Sequence, residues 1–259
     1  MKTAWNITLV CLVWSFLAAG AAQGHFLVLL PSSDVVAGID SASVDLKVLF
    51  THPMDQGPVM EMAMPRQFGV LVNQKKRDLL ASLRPQKVEG KTTYVSTARL
   101  IEPGDYVFYV EPAPYWEPSE EKMIIHYTKV VVNYLGAQGG WEATVGFPVE
   151  IEPLVRPYGL WSGNSFRGVV KRNGRPVPFA TIEVEYYNEG RQVRVPNDAF
   201  VTQVIKADAA GVFCYTMPRP GWWGFAALVP GHEKLKAPNG KMVDVELGGL
   251  IWVRTVKMQ

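Results

Sequence analysis

Short runs of β-branched and aromatic residues, separated by Gly, Pro, Asn and Asp, recur along most of this 259-residue sequence. Before the middle of the chain these runs cover residues 25–30, 43–50, 67–72, 92–100, 105–111, 122–133 and 149–154. Repeated short strands at intervals of about 8 to 12 residues are typical of β-sandwiches, and long helical periodicity is scarce. The sequence therefore predicts an all-β fold with a substantial buried core.

A change in composition at residues 152–159 predicts a boundary between two domains. This segment places Pro153, Pro157 and Gly159 between two strand patterns. Such a composition is expected of a linker or of a tight turn between domains. We therefore divide the folded chain into an N-terminal sandwich, residues 25–154, and a C-terminal sandwich, residues 155–259.

In the second part of the chain the strand runs are separated by clearer turn signals. The dipeptide Asn173-Gly174 predicts a two-residue type I′ hairpin. Further strands are expected at residues 166–170, 180–187, 201–207, 212–217, 222–228 and 243–256. The motifs Gly-Val-Val-x-x-Asn-Gly-x-Pro-Val-Pro from Gly168 and Asp-x-x-Gly-Val-Phe from Asp208 resemble those of prealbumin-like and carboxypeptidase-regulatory-like domains. The predicted fold class is thus all-β, with two sandwiches of immunoglobulin-like or prealbumin-like type.

Residues 1–24 are typical of a secretory signal peptide, with a basic start, an apolar stretch and a run of small residues. Cleavage after Ala22 or after Gly24 fits the pattern, and the second cut makes His25 the first mature residue. No later run reaches the eighteen apolar residues that a membrane span requires. We therefore expect a periplasmic protein that does not itself span the membrane after processing.

Signal removal also takes away Cys11 and leaves Cys214 without a partner for a disulfide bond. A hydrophobic core must then stabilise the exported protein. The alternating pattern around Cys214 favours a small buried side chain at this position.

Charge and motifs exclude several classes of function. The 26 Lys and Arg residues are mixed with 24 Asp and Glu residues, so no basic patch for nucleic acid is expected. Hydrolase, phosphate-loop and zinc-peptidase motifs are missing from the sequence. The acidic residues Glu117, Glu120 and Glu121 are expected to face solvent rather than to form a catalytic pair. We therefore predict that the protein is not an enzyme.

Four of the nine methionines lie between residues 54 and 64. Prolines on both sides predict a loop after a strand. In an extended chain Met60, Met62 and Met64 would point to one side and Glu61 to the other. Thioether and imidazole ligands together select copper, nickel or cobalt over magnesium or calcium. The alternative is that these methionines fill an irregular gap between two sheets.

The sequence contains four histidines, His25, His52, His126 and His232. His126 lies in the middle of a predicted strand, where a buried imidazole needs either a hydrogen bond or a metal ion. His25 at a processed N-terminus would chelate a cation through its α-amine and its imidazole. The pKa of a free α-amine is about 8, so such a site weakens as the pH falls. His232 is expected to be exposed.

Several stretches resemble a bacterial family of exported metal-uptake components. They are Thr51-His52-Pro53, Val59-Met60-Glu61-Met62, residues 104–118, residues 126–133, residues 156–161 and residues 221–227. Members of that family are described as periplasmic parts of nickel and cobalt transport systems that act with energy-coupling-factor type permeases. The resemblance implies a set of candidate metal ligands, namely His25, His52, Met60, Glu61, Met62 and His126. The sequence differs from some exported metal binders because Gln23-Gly24 precedes His25 instead of a His-Ala-His start.

We therefore expect an exported protein that captures nickel or cobalt and delivers it to a membrane metal permease. Copper stays open as the cargo because thioethers are softer ligands than nickel requires. A second hypothesis is a carbohydrate-binding or purely structural adaptor sandwich, suggested by Trp116, Trp141, Trp161 and Trp222 in loop-like contexts. Such rings either stack on sugars or seal the contact between two domains, and we favour sealing.

Overall fold

The computed structural model describes residues 25–137 and 139–259, and these residues form strands, turns and four short 3-10 helices without an α-helix. The all-β prediction is therefore confirmed, whereas the predicted signal peptide lies outside the described residues. Within these ranges no helix has the length and apolarity that a membrane crossing demands.

Ten strands precede residue 140. They are β1 (Phe26–Pro31), β2 (Val35–Val36), β3 (Ser43–Thr51), β4 (Gln67–Val72), β5 (Lys75–Asp78), β6 (Arg84–Val88), β7 (Lys91–Arg99), β8 (Gly104–Glu111), β9 (Tyr115–Glu117) and β10 (Lys122–Tyr134). Eleven follow it. They are β11 (Val149–Pro153), β12 (Leu160–Trp161), β13 (Ser165–Arg172), β14 (Arg175–Pro176), β15 (Thr181–Tyr186), β16 (Gln203–Lys206), β17 (Val212–Thr216), β18 (Gly221–Pro230), β19 (Leu235–Lys236), β20 (Met242–Val243) and β21 (Val245–Val256).

One large sheet runs through the whole molecule. Its strand order is β16-β15-β18-β21-β10-β8-β4-β5, and β2, β9 and β12 pair with its central strands. A second sheet has the order β1-β3-β7-β6, and a third joins β11, β13 and β14 with β17 beside β13. The large sheet is continuous because β10 and β21 pair in parallel, from Met123 opposite Val245 to Val130 opposite Trp252.

The two smaller sheets cover opposite faces of the large one. Since Thr128 lies opposite Leu250, even-numbered residues of β10 and β21 share one face. That face carries Trp252, which packs in the core beneath the β1-β3-β7-β6 sheet. The odd-numbered residues Ile251 and Val253 belong to the core beneath the third sheet. Two sandwiches thus share one central sheet, and their cores lie on its opposite faces.

The strand runs of the sequence correspond closely to observed strands, and the hairpin prediction is confirmed in detail. Asn173 and Gly174 have φ values of 48° and 76°, and Arg172 pairs with Arg175 across the turn. The division at residue 154 stays a prediction. Strand β11, which lies before that position, pairs with β13 of the second part.

The expectation for Cys214 is wrong. Its side chain is exposed, while its neighbour Phe213 is buried in the second core. The alternation that the sequence displays is real, but the inward positions of β17 are the odd-numbered ones.

Strand β1 is fixed to the large sheet by hydrogen bonds to the main-chain oxygen of Leu27. Trp252 donates its indole N–H to this oxygen at 3.0 Å, and the Thr128 hydroxyl donates to it at 3.3 Å. Both donors are fully buried. These contacts hold the start of β1, and therefore His25, above the middle of β10.

Candidate metal centre

His25 and His52 are brought together by the register of two antiparallel strands. The last pair of the β1–β3 ladder is Phe26 opposite Thr51. The residues that follow this pair at the ends of the two strands, His25 and His52, therefore also face each other. Directly opposed positions in an antiparallel ladder have their Cβ atoms about 5 Å apart. The two imidazole rings lie 4.4 Å apart, measured between centroids, and are tilted by 50°.

His126 reaches the same place from the facing sheet. It lies on the even-numbered face of β10, on which β1 packs, and only 2% of it is exposed. The ring of Phe50 contacts both imidazoles, with centroid distances of 5.7 Å to His25 and to His126. His126 is therefore linked to the His25–His52 pair through this phenylalanine.

The position opposite His126 has to be glycine for the imidazole to fit. His126 pairs with Gly248 of β21 in the parallel ladder. A Cβ atom on Gly248 would lie 2.9 Å from Nε2 of the His126 ring and closer still to its Cδ2 atom. Real Cβ atoms do not approach other heavy atoms this closely, so any larger residue would displace the imidazole.

His126 is the unusual member of the cluster because neither of its ring nitrogens makes a hydrogen bond. The Nε2 atom lies 3.6 Å from Oε1 of Glu246, which is longer than hydrogen-bond distance. Leaving a buried polar group unpaired costs about 1 to 3 kcal/mol. A buried imidazole at this position was predicted to need either a hydrogen bond or a metal ion, and the hydrogen bond is not made.

His25 is held by a carboxylate. Its Nε2 atom lies 2.8 Å from Oε2 of Glu117, and the other oxygen of Glu117 accepts hydrogen bonds from the main-chain N–H and hydroxyl of Ser119. Burial and the neighbouring ring of His52 lower the pKa of His25 to about 4, even though Glu117 acts in the opposite direction. At neutral pH the contact is therefore a hydrogen bond from an uncharged imidazole to a carboxylate.

A group of acidic residues, called here the acidic rim, lies around Lys122 on the His126 side of the cluster. Burial raises the pKa of Glu246, but His126 and Lys122 outweigh it and bring the value to about 2. Lys122 bridges Glu246, at 2.6 Å, and Glu120. Burial, with the charges of Glu246 and Glu120 nearby, raises the pKa of Glu183 to about 7. The carboxylates of Glu246 and Glu120 outnumber the single lysine, so the rim favours a cation.

The methionine segment is a loop, as predicted, and its side chains point to different environments. Met60 and Met62 are buried in the first core, whereas Met64 is 48% exposed and Glu61 is exposed. Met62 lines a small cavity, about 40 Å³ in volume, together with His126, Phe50 and other residues of the first core. Such a volume is of the order of one or two water molecules. A thioether thus shares a cavity with the unpaired imidazole.

Glu61 also lines this cavity, whereas Met60 does not. The carboxylate of Glu61 accepts hydrogen bonds from the main-chain N–H and the hydroxyl of Thr92, and it lies 3.8 Å from the ammonium of Lys87. Its oxygens are therefore already engaged by Thr92 and Lys87.

Sequence reasoning missed Glu117, Glu246 and Gly248. Glu117 was expected to face solvent, and this is wrong because only 6% of the residue is exposed. Its neighbours Glu120 and Glu121 are exposed, as expected. No local signal separates the three glutamates, since the difference arises from the pairing of β9 with β10.

The cluster is not a finished coordination shell of protein side chains. Across the described ranges, no three His, Cys, Asp or Glu side chains are already arranged to hold a metal ion. The thioether of Met62, which lines the cavity beside His126, is a further donor in this region. His232 is exposed and lies outside the cluster.

The fold and the cluster define an all-β sandwich protein with clustered buried imidazoles under an acidic rim. The chain belongs to the family described as Domain of unknown function (DUF4198), whose model matches residues 22–231. No curated protein sequence matches it.

Similar solved structures share only low identity with the chain. They include latent PorU from Porphyromonas gingivalis, at 10% identity and a TM-score of 0.24, covering 90% of this chain and 20% of that one. The Yersinia pseudotuberculosis adhesin InvE has 13% identity and a TM-score of 0.25, with 86% and 58% covered. The ICAM-5 D1–D4 ectodomain fragment has 13% identity and a TM-score of 0.25, with 92% and 52% covered. The chain thus spans less than two thirds of these structures.

Proposed function

We propose that this protein captures a transition-metal ion, nickel or cobalt, in the periplasm and delivers it to a membrane permease. The observation that carries the proposal is His126, a buried imidazole with two unpaired nitrogens beside His25 and His52. Imidazole is a ligand of intermediate softness that suits nickel, cobalt, copper and zinc. The cost of leaving such a group unpaired is recovered when a cation binds to it.

The electrostatics support the same proposal. Burial lowers the pKa of His25 to about 4, so this imidazole is neutral at pH 7 and binds a metal ion without first losing a proton. The carboxylates of Glu117 and Glu246 lie next to the rings and attract a cation toward them. The identity of the ion, the compartment and the energy-coupling-factor type permease are supported by the resemblance of the sequence to nickel and cobalt uptake components.

Copper is the second candidate, and Met62 is the observation that favours it. The thioether of Met62 lines the cavity that His126 also lines. Soft thioether ligands select Cu(I), whereas imidazole suits nickel as well as copper. Under this alternative, substitution of Met62 by leucine weakens Cu(I) binding and leaves nickel binding unchanged.

Calorimetric titration of the processed protein with Ni²⁺, Co²⁺ and Cu(I) tests the proposal. Mass spectrometry of the sample should first establish which residue is the mature N-terminus. We expect one ion to bind, and His52→Ala and His126→Ala to remove the heat of binding. His232→Ala is the matched control because this histidine is exposed and outside the cluster. No heat with any ion would favour a structural adaptor, and loss of sugar binding in Trp116→Ala would favour the carbohydrate hypothesis.

A further inference from the structure

A cleft of about 640 Å³ lies between the β1-β3-β7-β6 sheet and the part of the large sheet formed by β15, β18 and β21. Small-molecule sites in proteins commonly measure about 300 to 1,000 Å³ and often lie between domains. Pro31, at the end of β1, lines the cleft, whereas His25 lies just before the start of that strand. Six residues of extended chain span about 20 Å. The cleft is therefore separate from the candidate metal centre.

The first wall of the cleft is one face of the β1-β3-β7-β6 sheet. Asp45 pairs with Thr97, and Lys47 pairs with Val95, so these four side chains point to the same side. Oδ1 of Asp45 accepts a hydrogen bond from the Thr97 hydroxyl at 2.6 Å. Arg84 of β6 also lines this wall, where it is exposed and, among the described residues, pairs with no carboxylate. The wall thus offers a carboxylate, a hydroxyl and an unpaired guanidinium.

The second wall of the cleft is aromatic. Trp222 and Arg254 are directly opposite each other in the β18–β21 ladder, so they share a face of the large sheet. The main-chain oxygen of Trp222 accepts a hydrogen bond from the N–H of Tyr187 at 2.8 Å, which joins the end of β15 to this wall. Trp222 is only half-buried, so part of its indole ring is accessible from the cleft. The wall presents apolar ring surface next to a guanidinium.

Lys47 connects the two walls. Its ammonium donates hydrogen bonds to the hydroxyl of Tyr187 at 3.2 Å and to Glu189 at 3.0 Å. It also lies 4.5 Å from the centroid of the Tyr187 ring, within the range of a cation–π contact. These contacts join the small sheet to the β15 region and leave the cleft open. The site is therefore formed before any ligand binds.

The chemistry of the lining favours a neutral ligand with many hydroxyl groups. Two carboxylates, Asp45 and Glu189, nearly balance three cationic side chains, Lys47, Arg84 and Arg254. A hydroxyl group donates to a carboxylate and accepts from a guanidinium equally well. The C–H face of a sugar ring, in turn, packs on the flat face of an aromatic side chain. A sugar therefore matches both the charged and the aromatic residues of the cleft.

A peptide strand matches the cleft less well. Strands β3, β7 and β18, which form much of the two walls, each pair with a neighbour on both sides. They therefore offer no free edge to which an extended peptide adds by main-chain hydrogen bonds. Recognition in the cleft depends on side chains, as it does for a saccharide.

We propose that this cleft binds a neutral oligosaccharide, with Trp222 stacking on a sugar ring and with Asp45 and Arg84 forming hydrogen bonds to its hydroxyl groups. The proposal concerns a different part of the fold from metal capture and does not depend on it. Trp222 is one of the four tryptophans for which the sequence suggested either stacking on sugars or sealing of a domain contact. It lies at the contact between the two sandwiches, yet it lines an open cleft.

Protein-observed ¹H–¹⁵N NMR titration of the processed chain with cellotriose, maltotriose and triacetylchitotriose tests the proposal. At least one of these trisaccharides should shift the indole N–H signal of Trp222 in a saturable way. Trp222→Ala and Arg84→Ala should each weaken that binding about 10-fold, because each removes a side chain that contacts the sugar. Trp161→Ala and Arg175→Ala are the matched controls, since both residues are exposed and outside the cleft. His126→Ala should also bind the sugar like the wild type.

The outcomes distinguish this proposal from metal capture. If none of the three trisaccharides binds at millimolar concentration, the proposal is wrong, whatever the metal titrations show. Sugar binding that persists in Trp222→Ala and Arg84→Ala but is lost in Trp116→Ala would also overturn it, as would tighter binding of trialanine than of any trisaccharide. Arg84 is exposed and unpaired, so Arg84→Ala decides the question if Trp222→Ala does not fold.

Discussion

The imidazole of His126 occupies space that exists only because its partner across the parallel ladder, Gly248, has no side chain. This relationship joins two strands that are far apart in the sequence. It also places the unpaired nitrogens of His126 between the β1-β3-β7-β6 sheet and the large central sheet.

The first prediction concerns this pair. Gly248→Ala places a methyl group 2.9 Å from Nε2 of His126 and closer still to Cδ2, and overpacking of this kind costs about 1 to 3 kcal/mol of unfolding free energy. We expect a lower stability in urea denaturation and weaker metal binding, because the ring has to leave its position. Gly38→Ala is the matched control, since no other residue lies within 4 Å of the place that its added methyl group would take. If Gly248→Ala and Gly38→Ala lose the same unfolding free energy and bind metal equally well, the close contact between residue 248 and His126 is unimportant.

A second prediction concerns the ion pair between Lys129 and Glu150, on the other face of β10. Nζ of Lys129 lies 2.6 Å from Oε1 of Glu150. The carboxylate of Glu150 also accepts hydrogen bonds from the main-chain N–H groups of Val145, Gly146 and Phe147. Burial is the larger effect and lowers the pKa of Lys129 below its ordinary value, although the adjacent carboxylate of Glu150 acts in the opposite direction.

Removing one partner of a buried pair leaves an uncompensated charge and typically costs about 3 to 5 kcal/mol. We therefore expect Lys129→Ala to lower the free energy of unfolding by about this amount in urea denaturation. The control is Lys234→Ala, which breaks an exposed pair with Asp244 that is worth at most about 1 kcal/mol. A loss in Lys129→Ala no greater than in the control would contradict the prediction.

A third prediction is a pH dependence of stability that originates at Glu185. This carboxyl is 1% exposed, and it accepts hydrogen bonds from the main-chain N–H of Met54 and from the hydroxyl of Thr202. Burial raises its pKa to about 8, although the two hydrogen bonds act in the opposite direction. The folded protein therefore keeps a proton that the unfolded chain releases above its ordinary pKa of 4.5.

The stabilising contribution of the protonated carboxyl is complete below about pH 4.5 and is lost as the pH rises through about 8. Glu185 should add a slope of up to about 1.4 kcal/mol per pH unit between these values. Urea denaturation of the wild type and of Glu185→Gln across this range measures the difference. Glu189→Gln serves as the exposed control. If the free energy of unfolding changes with pH in the same way in the wild type and in Glu185→Gln, the carboxyl of Glu185 is not the source of the pH dependence.

Much of the fold follows from local sequence signals. The β-branched and aromatic run at residues 122–133 corresponds to strand β10, and the Asn173-Gly174 dipeptide forms the predicted hairpin. These features depend on side-chain periodicity and on turn chemistry, both of which are local. The orientation of Cys214 was not predictable in this way, since alternation defines two faces and only tertiary packing decides which one is buried.

The site was predictable only in part. The types of its residues suggested His25, His52 and His126, but their proximity depends on the β1–β3 register and on the parallel pairing of β10 with β21. Glu117 and Glu246 belong to the site through the same long-range pairings. A parallel ladder between distant segments leaves no local mark in a sequence, so neither carboxylate was distinguishable from a surface residue.

X-ray absorption spectroscopy of the metal-loaded, processed protein tests the metal-capture proposal most directly. After removal of loosely bound ions, we expect the nickel or cobalt edge to show nitrogen neighbours with the outer-shell scattering of imidazole rings. The number of imidazoles should fall in His126→Ala and stay constant in His232→Ala. An ion surrounded only by oxygen, or a protein that retains no ion, would contradict the proposal.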